Sequence, residues 1–398
     1  MKPSTIAIKL NKVAETAVKK GHPWVFEQSI QKGPDKKQLA GSLCVLFDQR
    51  NNKPFAFGLW DPKEIIRIKI IFNGSRLTLD ETFWKSQLEK AFEQRRPLLT
   101  KTNGYRAIHG ENDGFPGMVL DIYDTTGVLK VNSNIWNPYL EALLQLFQDF
   151  YKLERIVFRL SRKIAGKGGF PYKEGDVIGN PLEEERIVFE EQGVQFYAYP
   201  ISGHKTGFFL DQRPNRLWVQ DHAKGKSVLD VFSYVGSFGV HALQGGATSL
   251  TSIDISQHAM DVAKENLALN NLDVSKWTPM VGDAFEILEK LISENTTFDI
   301  VILDPPTFAT QQSQIPNALK QYERLADLGA SLTKRNGTLI LGSCSSRITL
   351  EDFEIAHQTA FAKQATYWNV VKKTLHDIDH PVTYPEGLYL KTIIYRKA

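Results

Sequence analysis

The chain has 398 residues, 42% of them hydrophobic, with 48 Lys and Arg against 45 Asp and Glu and a formal net charge of +3. Its length suggests two or three domains, and its composition excludes a disordered or low-complexity protein. No stretch approaches the roughly 18 apolar residues of a membrane span, and the N-terminus lacks the apolar core of a signal peptide. The two cysteines, Cys44 and Cys344, cannot make a disulfide framework or a zinc site unaided. We therefore expect a soluble protein of a reducing, cytoplasmic compartment, with no membrane partner and no bound metal.

The charge is unevenly distributed along the chain. Residues 1–76 contain 14 Lys and Arg and 6 Asp and Glu, a net charge of +8, whereas the remainder carries −5. A basic front end on a mildly acidic body suggests an anionic partner that docks at one place. Nucleic acid is one such partner, and a solvated lysine-rich face is the alternative.

Residues 1–75 are expected to form a small β-rich domain. Short apolar runs, SLCVLFDQ and FAFGLW, flank a turn signal, and Arg67–Ile70 alternates as a half-exposed strand does. Lys19, Lys20, His22 and Trp24 place cations beside aromatic rings, which is a combination that contacts phosphate and stacks on bases. Alternatively, Trp24 and Phe26 fill the small core, and the pattern favours this for the aromatic residues. Cys44 is expected to be core.

Residues 76–185 are expected to form a mixed α+β middle domain. Asp80 can cap a helix that runs to about Leu99, and a second helix is expected from about Pro138 to Tyr151. The runs RIVFEE and VQFYAY then predict a hairpin that turns at Gln192-Gly193 and leads into the last domain.

The last domain is expected to span residues 186–398, and from residue 200 onward its pattern becomes one of alternating strands and helices. The clearest helix is expected from Ser256 to Asn270. The predicted strands are Ser227–Phe232, Leu250–Asp254, Thr278–Val281, Phe298–Asp304 and Thr338–Ser343. Repeated strand–helix units imply a parallel sheet with helices on both faces, and such sheets bind ligands at the carboxyl ends of their strands.

Polar and glycine residues stand at these predicted strand ends. Gly236 follows the first strand and lets the backbone approach a ligand, while Asp254 ends the second strand, where it can accept from ribose hydroxyls. Asp283 could hold an adenine amino group or simply cap a helix. Asp304 begins Asp304-Pro305-Pro306-Thr307, and Cys344 follows the fifth strand. Because no G-x-G-x-x-G is present, the implied ligand is a nucleoside without a pyrophosphate.

These residues and several longer motifs match a known family. The chain resembles class I S-adenosylmethionine-dependent methyltransferases and, more closely, bacterial 23S ribosomal RNA cytosine-5 methyltransferases with an N-terminal PUA RNA-binding domain. Besides the strand-end residues, the resemblance rests on Gly21–Phe26, Tyr105-Arg106, Gly110–Gly117, Gly203–Arg213, the Asp-Pro-Pro and Ser-Cys-Ser motifs, and Tyr384–Lys391. It covers nearly the whole chain.

The resemblance implies an α/β fold: a C-terminal Rossmann-like methyltransferase domain, a mixed middle domain and a PUA-like N-terminal domain. It implies S-adenosylmethionine as cofactor and ribosomal RNA, with a single-stranded or flipped-out cytosine, as substrate. Cys344 would add to carbon 6 of cytosine, and Asp304 would hydrogen-bond the base at N3. A homodimer is one expected state, since relatives dimerise. The expected cofactor-binding residues are Asp230, Phe232, Ser233, Gly236, Asp254, Ile255, Gly282, Asp283, Ala284, Asp304, Phe208, Asp211, Gln212 and Arg213.

RNA-binding residues are expected at Lys19, Lys20, His22, Trp24, His204 and Lys205. Two interpretations apply to His204 and Lys205. They either line the cofactor and RNA cleft, together with Phe208 and Asp211 to Arg213, or are plain loop residues at the sheet edge. Both interpretations stay open.

Two departures from the family leave alternatives open. The family usually has Lys after Asp-Pro-Pro, where this chain has Thr307, as the related guanine-N7 ribosomal RNA methyltransferases do, although those lack the cysteine. Ser346 stands where the family often has Gly. Two alternatives therefore stay open. One is an enzyme that modifies guanine or another base, and the other is an RNA-binding assembly factor with a vestigial cofactor pocket.

Overall fold

The computed structural model describes residues 4–34, 38–165, 169–365 and 367–398. The chain forms two compact units: the first comprises Met1–Phe189, Ala198–Leu210 and Ile378–Tyr384, and the second Glu190–Tyr197, Asp211–Asp377 and Pro385–Ala398. Within the described ranges, no helix combines the length and the apolar character that crossing a membrane requires.

The N-terminal part of the first unit is a six-stranded sheet with one helix, α1 (Lys12–Lys19), which Asn11 caps. The strands are β1 (Thr5–Leu10), β2 (Trp24–Phe26), β3 (Ile30–Lys32), β4 (Leu43–Phe47), β5 (Pro54–Trp60) and β6 (Ile66–Asn73). They lie in the order β2-β6-β5-β4-β1-β3, with β1 and β4 parallel and the other neighbours antiparallel. Cys44 is fully buried in the core of this sheet, as expected.

Two expectations for this sheet are wrong. Val25 is the core residue of β2, so strand alternation turns Trp24 and Phe26 away from the core, and Phe26 is 36% exposed. Nor is β6 half-exposed. Its Arg67 and Lys69 are both buried because each finds a carboxylate, Glu27 at 2.7 Å and Asp61 at 2.8 Å respectively.

The rest of the first unit is a second sheet with helices on one face. Its elements are α2 (Glu81–Arg95), β7 (Gly104–His109), β8 (Met118–Tyr123), β9 (Thr126–Val131), α3 (Leu140–Tyr151), β10 (Arg155–Leu160), α4 (Arg162–Ala165) and β11 (Val177–Gly179). The strand order is β11-β10-β9-β8-β7, with β9 and β10 parallel. Asp80 caps α2 as predicted, its Oδ1 accepting from the Phe83 amide at 3.0 Å. Leu120, Leu129 and Phe158 pack with Trp84 of α2 and Phe147 of α3 in one core.

The predicted hairpin consists of β12 (Ile187–Glu191) and β13 (Val194–Ala198). Gln192 and Gly193 both have positive φ, 56° and 79°, as a two-residue turn between twisted strands requires.

The second unit is built on a seven-stranded sheet. Its strands are β14 (Ser227–Val231), β15 (Ser249–Asp254), β16 (Trp277–Val281), β17 (Phe298–Leu303), β18 (Thr333–Ser343), β19 (Trp368–Thr374) and β20 (Lys391–Lys397). The order is β16-β15-β14-β17-β18-β20-β19. The first five strands run parallel, and β20 and β19 join antiparallel at one edge. The predicted α/β class is confirmed, and the antiparallel edge is an addition to the purely parallel sheet expected.

In the described part of the chain, six helices flank these strands: the first precedes β14, and the other five connect successive strands. They are α5 (Arg213–His222), α6 (Ser237–Gln244), α7 (Gln257–Leu269), α8 (Ala284–Ser293), α9 (Ile315–Leu332) and α10 (Leu350–Lys363). Apolar side chains of α8, α9 and α10 share one core with those of β17 and β18. The chain leaves β14 on one side for β15 and later returns on its other side as β17. This reversal of strand order is where open α/β sheets bind ligands.

Candidate active site

The register of the second sheet brings the predicted strand-end residues to one edge. Val231 pairs with Ile253 and with Leu303, and Leu303 pairs with Leu341. The residues that follow these positions therefore emerge side by side from neighbouring strands.

The loop after β14 has a tightly constrained backbone held by Asp254. Phe232, Tyr234 and Gly236 have φ values of 60°, 49° and 74°, all in the left-handed region. Asp254 Oδ2 accepts from the Tyr234 amide at 2.8 Å, and its Oδ1 accepts from the Ser256 amide at 2.9 Å. Asp254 thus fixes the loop between β14 and α6 to the start of α7.

Asp230 is a buried carboxyl at the same edge. Its side chain accepts from the Gly239 amide of α6 at 3.0 Å, and the residue is 1% exposed. Burial raises the pKa of Asp230 to about 8, and the negative charges of Asp304 and Asp254 add to the rise. Below that pH, Asp230 therefore holds a proton, and a cation placed among these three carboxyl groups would favour its ionisation.

Asp283 is an exposed helix cap. Its Oδ1 accepts from the Phe285 and Glu286 amides at 2.9 and 3.2 Å, which is the plain alternative that the sequence offered for this residue. The preceding Gly282 has a φ of 156°, and the following Ala284 is buried at 7% exposure.

Asp304 is held by a chain of side-chain amides. Gln212 Nε2 donates to Asp304 Oδ2 at 2.8 Å, and Asn215 Nδ2 donates to Gln212 Oε1 at 2.6 Å. Asn215 in turn contacts Thr392 and Thr374 of the antiparallel edge. Gly342 makes room on the other side, because a β-carbon there would lie 2.4 Å from Asp304 Oδ1. The position of this carboxyl group is therefore fixed from β17, β18 and α5.

Cys344 lies against the loop that Asp304 begins. Its Sγ is 3.0 Å from Thr307 Oγ1 and 3.8 Å from the Pro305 carbonyl oxygen. The Cys344 thiol forms no disulfide and is half-buried, unlike that of Cys44, whose pKa is raised strongly by burial. A partly exposed thiol is accessible to a substrate, and a fully buried one is not.

A buried lysine, to which the sequence assigned no role, lies near Cys344. Lys391 is 1% exposed, and its Nζ donates to the Ser345 carbonyl at 2.6 Å and the Tyr389 carbonyl at 3.1 Å. Burial lowers the pKa of Lys391 to about 8, and the nearby Cys344 opposes that change. In the sequence, Lys391 is recognisable as a lysine that begins the apolar strand KTIIY, where a buried cation is unexpected.

Comparison with known proteins identifies the family. A family model described as S-adenosylmethionine-dependent methyltransferase matches residues 174–395, and a PUA-like domain model matches residues 8–72. The chain belongs to the S-adenosylmethionine-dependent methyltransferase family. A ribosomal RNA large subunit methyltransferase of Deinococcus radiodurans is 36% identical over 395 residues, covering 98% of this chain and 96% of that protein.

A second relative agrees with this family, and a solved structure shares the fold. Ribosomal RNA large subunit methyltransferase I of an Enterobacter species is 34% identical, covering 97% of this chain and 98% of that protein. A solved structure described as an S-adenosylmethionine-dependent methyltransferase from Streptococcus mutans has the same fold, with a TM-score of 0.82 at 20% identity over 98% of this chain and 99% of that chain.

The residues at the strand ends of this methyltransferase fit its cofactor, S-adenosylmethionine. Ile255, directly after Asp254, is 77% exposed and offers an apolar surface beside a carboxylate, which suits a nucleoside. Asp254, and Asp230 once a bound cation favours its ionisation, would supply negative charge for the cationic sulfonium and amino groups. Phe232, Ser233, Gly236 and Gly282 lie in the loops after β14 and β16, and Ala284 begins α8. These assignments remain predictions.

The other predicted cofactor residues are distributed over both units. In the second unit, Asp211 accepts from the Tyr389 hydroxyl at 2.8 Å, and Arg213, 1% exposed, makes ion pairs with Glu191 and Asp377. In the first unit, Phe208 is buried, with its ring edge-on to Phe189. His204 and Lys205 also belong to the first unit and are exposed.

The candidate RNA residues of the N-terminal sheet lie at or near its surface. Lys19 is paired with Glu15 and Asp48, and Lys20 is exposed. Trp24 Nε1 donates to Glu111 Oε1 at 2.9 Å, and the His22 ring lies edge-on to the Trp24 ring. Trp24 is therefore held by a residue of the Gly110–Gly117 motif, and its role toward RNA stays a prediction.

Proposed function

We propose that this methyltransferase forms 5-methylcytosine in ribosomal RNA of the large subunit, through a thiol adduct at carbon 6 of cytosine. The observation that carries the proposal is the position of Cys344, whose Sγ lies 3.0 Å from Thr307 Oγ1 on the Asp304 loop. A nucleophile and a carboxyl group at one strand-end edge are what this chemistry needs. The relatives' names, ribosomal RNA large subunit methyltransferase, support the choice of RNA.

The proposed reaction proceeds through a covalent adduct between Cys344 and the base. The Cys344 thiolate adds to carbon 6, and Asp304 delivers a proton to N3, so that carbon 5 becomes nucleophilic. S-adenosylmethionine, when bound, supplies the methyl group that carbon 5 accepts. A base then removes the proton from carbon 5, the carbon 6–sulfur bond breaks, the sulfur leaves with its electron pair as thiolate, and N3 returns its proton to Asp304. The target cytosine must be unstacked to reach the thiol, so the substrate is a single-stranded or flipped-out nucleotide.

Gln212 and Gly342 would orient Asp304 during these steps. The Gln212 amide donates to one carboxyl oxygen, and Gly342 leaves space for the other. In the wider organisation that we propose, residues 1–75 dock RNA, residues 76–185 form the middle domain, and residues 186–398 carry the catalytic groups.

Thr307 motivates the second candidate, a methyltransferase that modifies guanine or another base. Its hydroxyl stands where the cytosine-5 family usually has Lys, and here it contacts the Cys344 thiol. Mass mapping of the modified nucleoside distinguishes the two, because a guanine product excludes the thiol-adduct chemistry.

A mechanism-based trap tests the cytosine-5 proposal. The protein is incubated with S-adenosylmethionine and RNA that contains 5-fluorocytosine, whose fluorine cannot leave as a proton does. We expect a covalent protein–RNA adduct in the wild type and in the Cys44→Ala control, and none in Cys344→Ala. Full methylation activity in Cys344→Ala would refute the nucleophile assignment.

A further inference from the structure

Two cations face each other across neighbouring strands of the sheet in the first unit. Arg159 of β10 and Lys130 of β9 are paired in the parallel register, so their side chains project from the same face. Like charges in direct opposition destabilise a sheet. The apolar core lies on the opposite face, with Leu129 and Phe158, so packing of the core does not require these cations.

Two more cations act on Lys130. The pKa of Lys130 is lowered first by burial and then by Arg159, with Lys205 and Arg106 adding to the effect and Glu174 opposing it. We call Arg106, Lys130, Arg159 and Lys205 the cation cluster. Its charge is reduced by two carboxylates: Asp121, paired with Arg106 at 2.7 Å, and Glu174, paired with Arg159 at 2.6 Å.

The Lys130 side chain itself forms no ion pair or hydrogen bond with the residues that the structure describes, although it is half-buried and three other cations act on it. Lys205 places its ammonium 4.3 Å from the centre of the Phe209 ring, where it is not neutralised by that contact. Four cations against two carboxylates leave a net positive charge, and an anion that approached Lys130 would relieve the repulsion.

We propose that the cation cluster binds a phosphate of the RNA backbone, with Lys130 as its central contact. This inference rests on the proposed function, since it takes RNA as the substrate. A phosphodiester carries the negative charge that the cluster lacks, and Arg and Lys are the residues that neutralise it. Such a contact positions the RNA strand and carries no sequence information, so it complements the base recognition expected near Cys344.

The salt dependence of RNA binding tests this site. Fluorescence anisotropy is measured with a labelled single-stranded RNA of mixed sequence over a range of salt concentrations. We expect Lys130→Met to lower the slope of log K against log salt by about 0.7 and to weaken binding about fivefold near 0.1 M salt, the loss of one phosphate contact. Lys130→Met combined with Lys205→Met should lower the slope by about twice as much.

Lys85→Met is the matched control, because Lys85 is an exposed lysine on α2, which packs on the apolar face of the same sheet. It should leave the slope unchanged. Calorimetry with S-adenosylhomocysteine and thermal melting verify that each variant is folded. A wild-type slope in Lys130→Met, or an equal loss in Lys85→Met, overturns the phosphate site. A wild type that binds RNA but makes no 5-methylcytosine overturns the proposed function instead.

Discussion

Gln212 donates its side-chain amide to Asp304 over 2.8 Å, although 92 residues separate the two in the chain. The bond fixes one carboxyl oxygen of Asp304, and Asn215 fixes Gln212 in turn. Gln212 is therefore a positioning residue for the proposed proton transfer, and its side-chain orientation determines where the Asp304 proton can be delivered.

Gln212→Ala is expected to lower kcat about 100-fold, because a small misplacement of a catalytic group costs about that factor. The KM for RNA should change much less. Steady-state methylation of ribosomal RNA measures both constants. Gln257→Ala, an exposed glutamine on α7, is the control and should retain full activity. A change confined to KM would show that Gln212 binds RNA or cofactor instead of orienting Asp304.

Lys391 is expected to favour the thiolate form of Cys344. Its ammonium donates to the carbonyl of Ser345, the residue next to Cys344, and a nearby cation lowers a thiol pKa. Other ionisable groups also lie around this site: Asp304, Tyr322, Asp211, Tyr389 and His376. The Tyr322 hydroxyl lies 2.9 Å from Ser343 Oγ. Tyr389 donates its hydroxyl to Asp211 and its backbone amide to His376.

The pH dependence of iodoacetamide labelling at Cys344 tests this expectation without cofactor or RNA. In Lys391→Met the pH midpoint of labelling should rise by about one pH unit, as the loss of an opposite charge predicts. Lys391→Arg keeps the charge, so its labelling midpoint should stay close to that of the wild type. Lys372→Met, on the exposed edge strand β19, is the control and should leave the midpoint unchanged. An unchanged midpoint in Lys391→Met would contradict the electrostatic role.

The sequence predicted the central strands well and the edge of the sheet poorly. Strands β14 and β17 are buried over most of their length, so each is predominantly apolar, with Asp230 inside β14 and Asp304 directly after β17. The direction in which β19 and β20 join the sheet depends on pairing between distant segments, which local pattern does not encode. The partners of Asp304 and Cys344 were missed for the same reason.

Ile255 is expected to contribute to cofactor affinity and not to folding, because 77% of it is exposed. Ile255→Ala should weaken S-adenosylhomocysteine binding about tenfold, since burying an aliphatic side chain of this size against a ligand contributes about 1.5 kcal/mol. Titration calorimetry measures the change, and the melting temperature should not move. Ile355→Ala, at a 53% exposed site on α10, removes the same atoms and should leave binding intact. Equal affinities for Ile255→Ala and the wild type would place the nucleoside elsewhere.

Asp230 makes the stability of the protein depend on pH. Its pKa is about 8 in the folded chain against an ordinary value of 3.8, so the folded state keeps a proton that the unfolded state loses. The stabilisation from this proton is fully present below the ordinary pKa and is lost as pH rises toward 8, with a slope of about 1.4 kcal/mol per pH unit. Asp230→Asn, which cannot ionise, should flatten the unfolding free energy between pH 5 and pH 8, measured by urea denaturation. Asp261→Asn, an exposed residue of α7, should keep the wild-type slope, and a wild-type slope in Asp230→Asn would show that another group titrates.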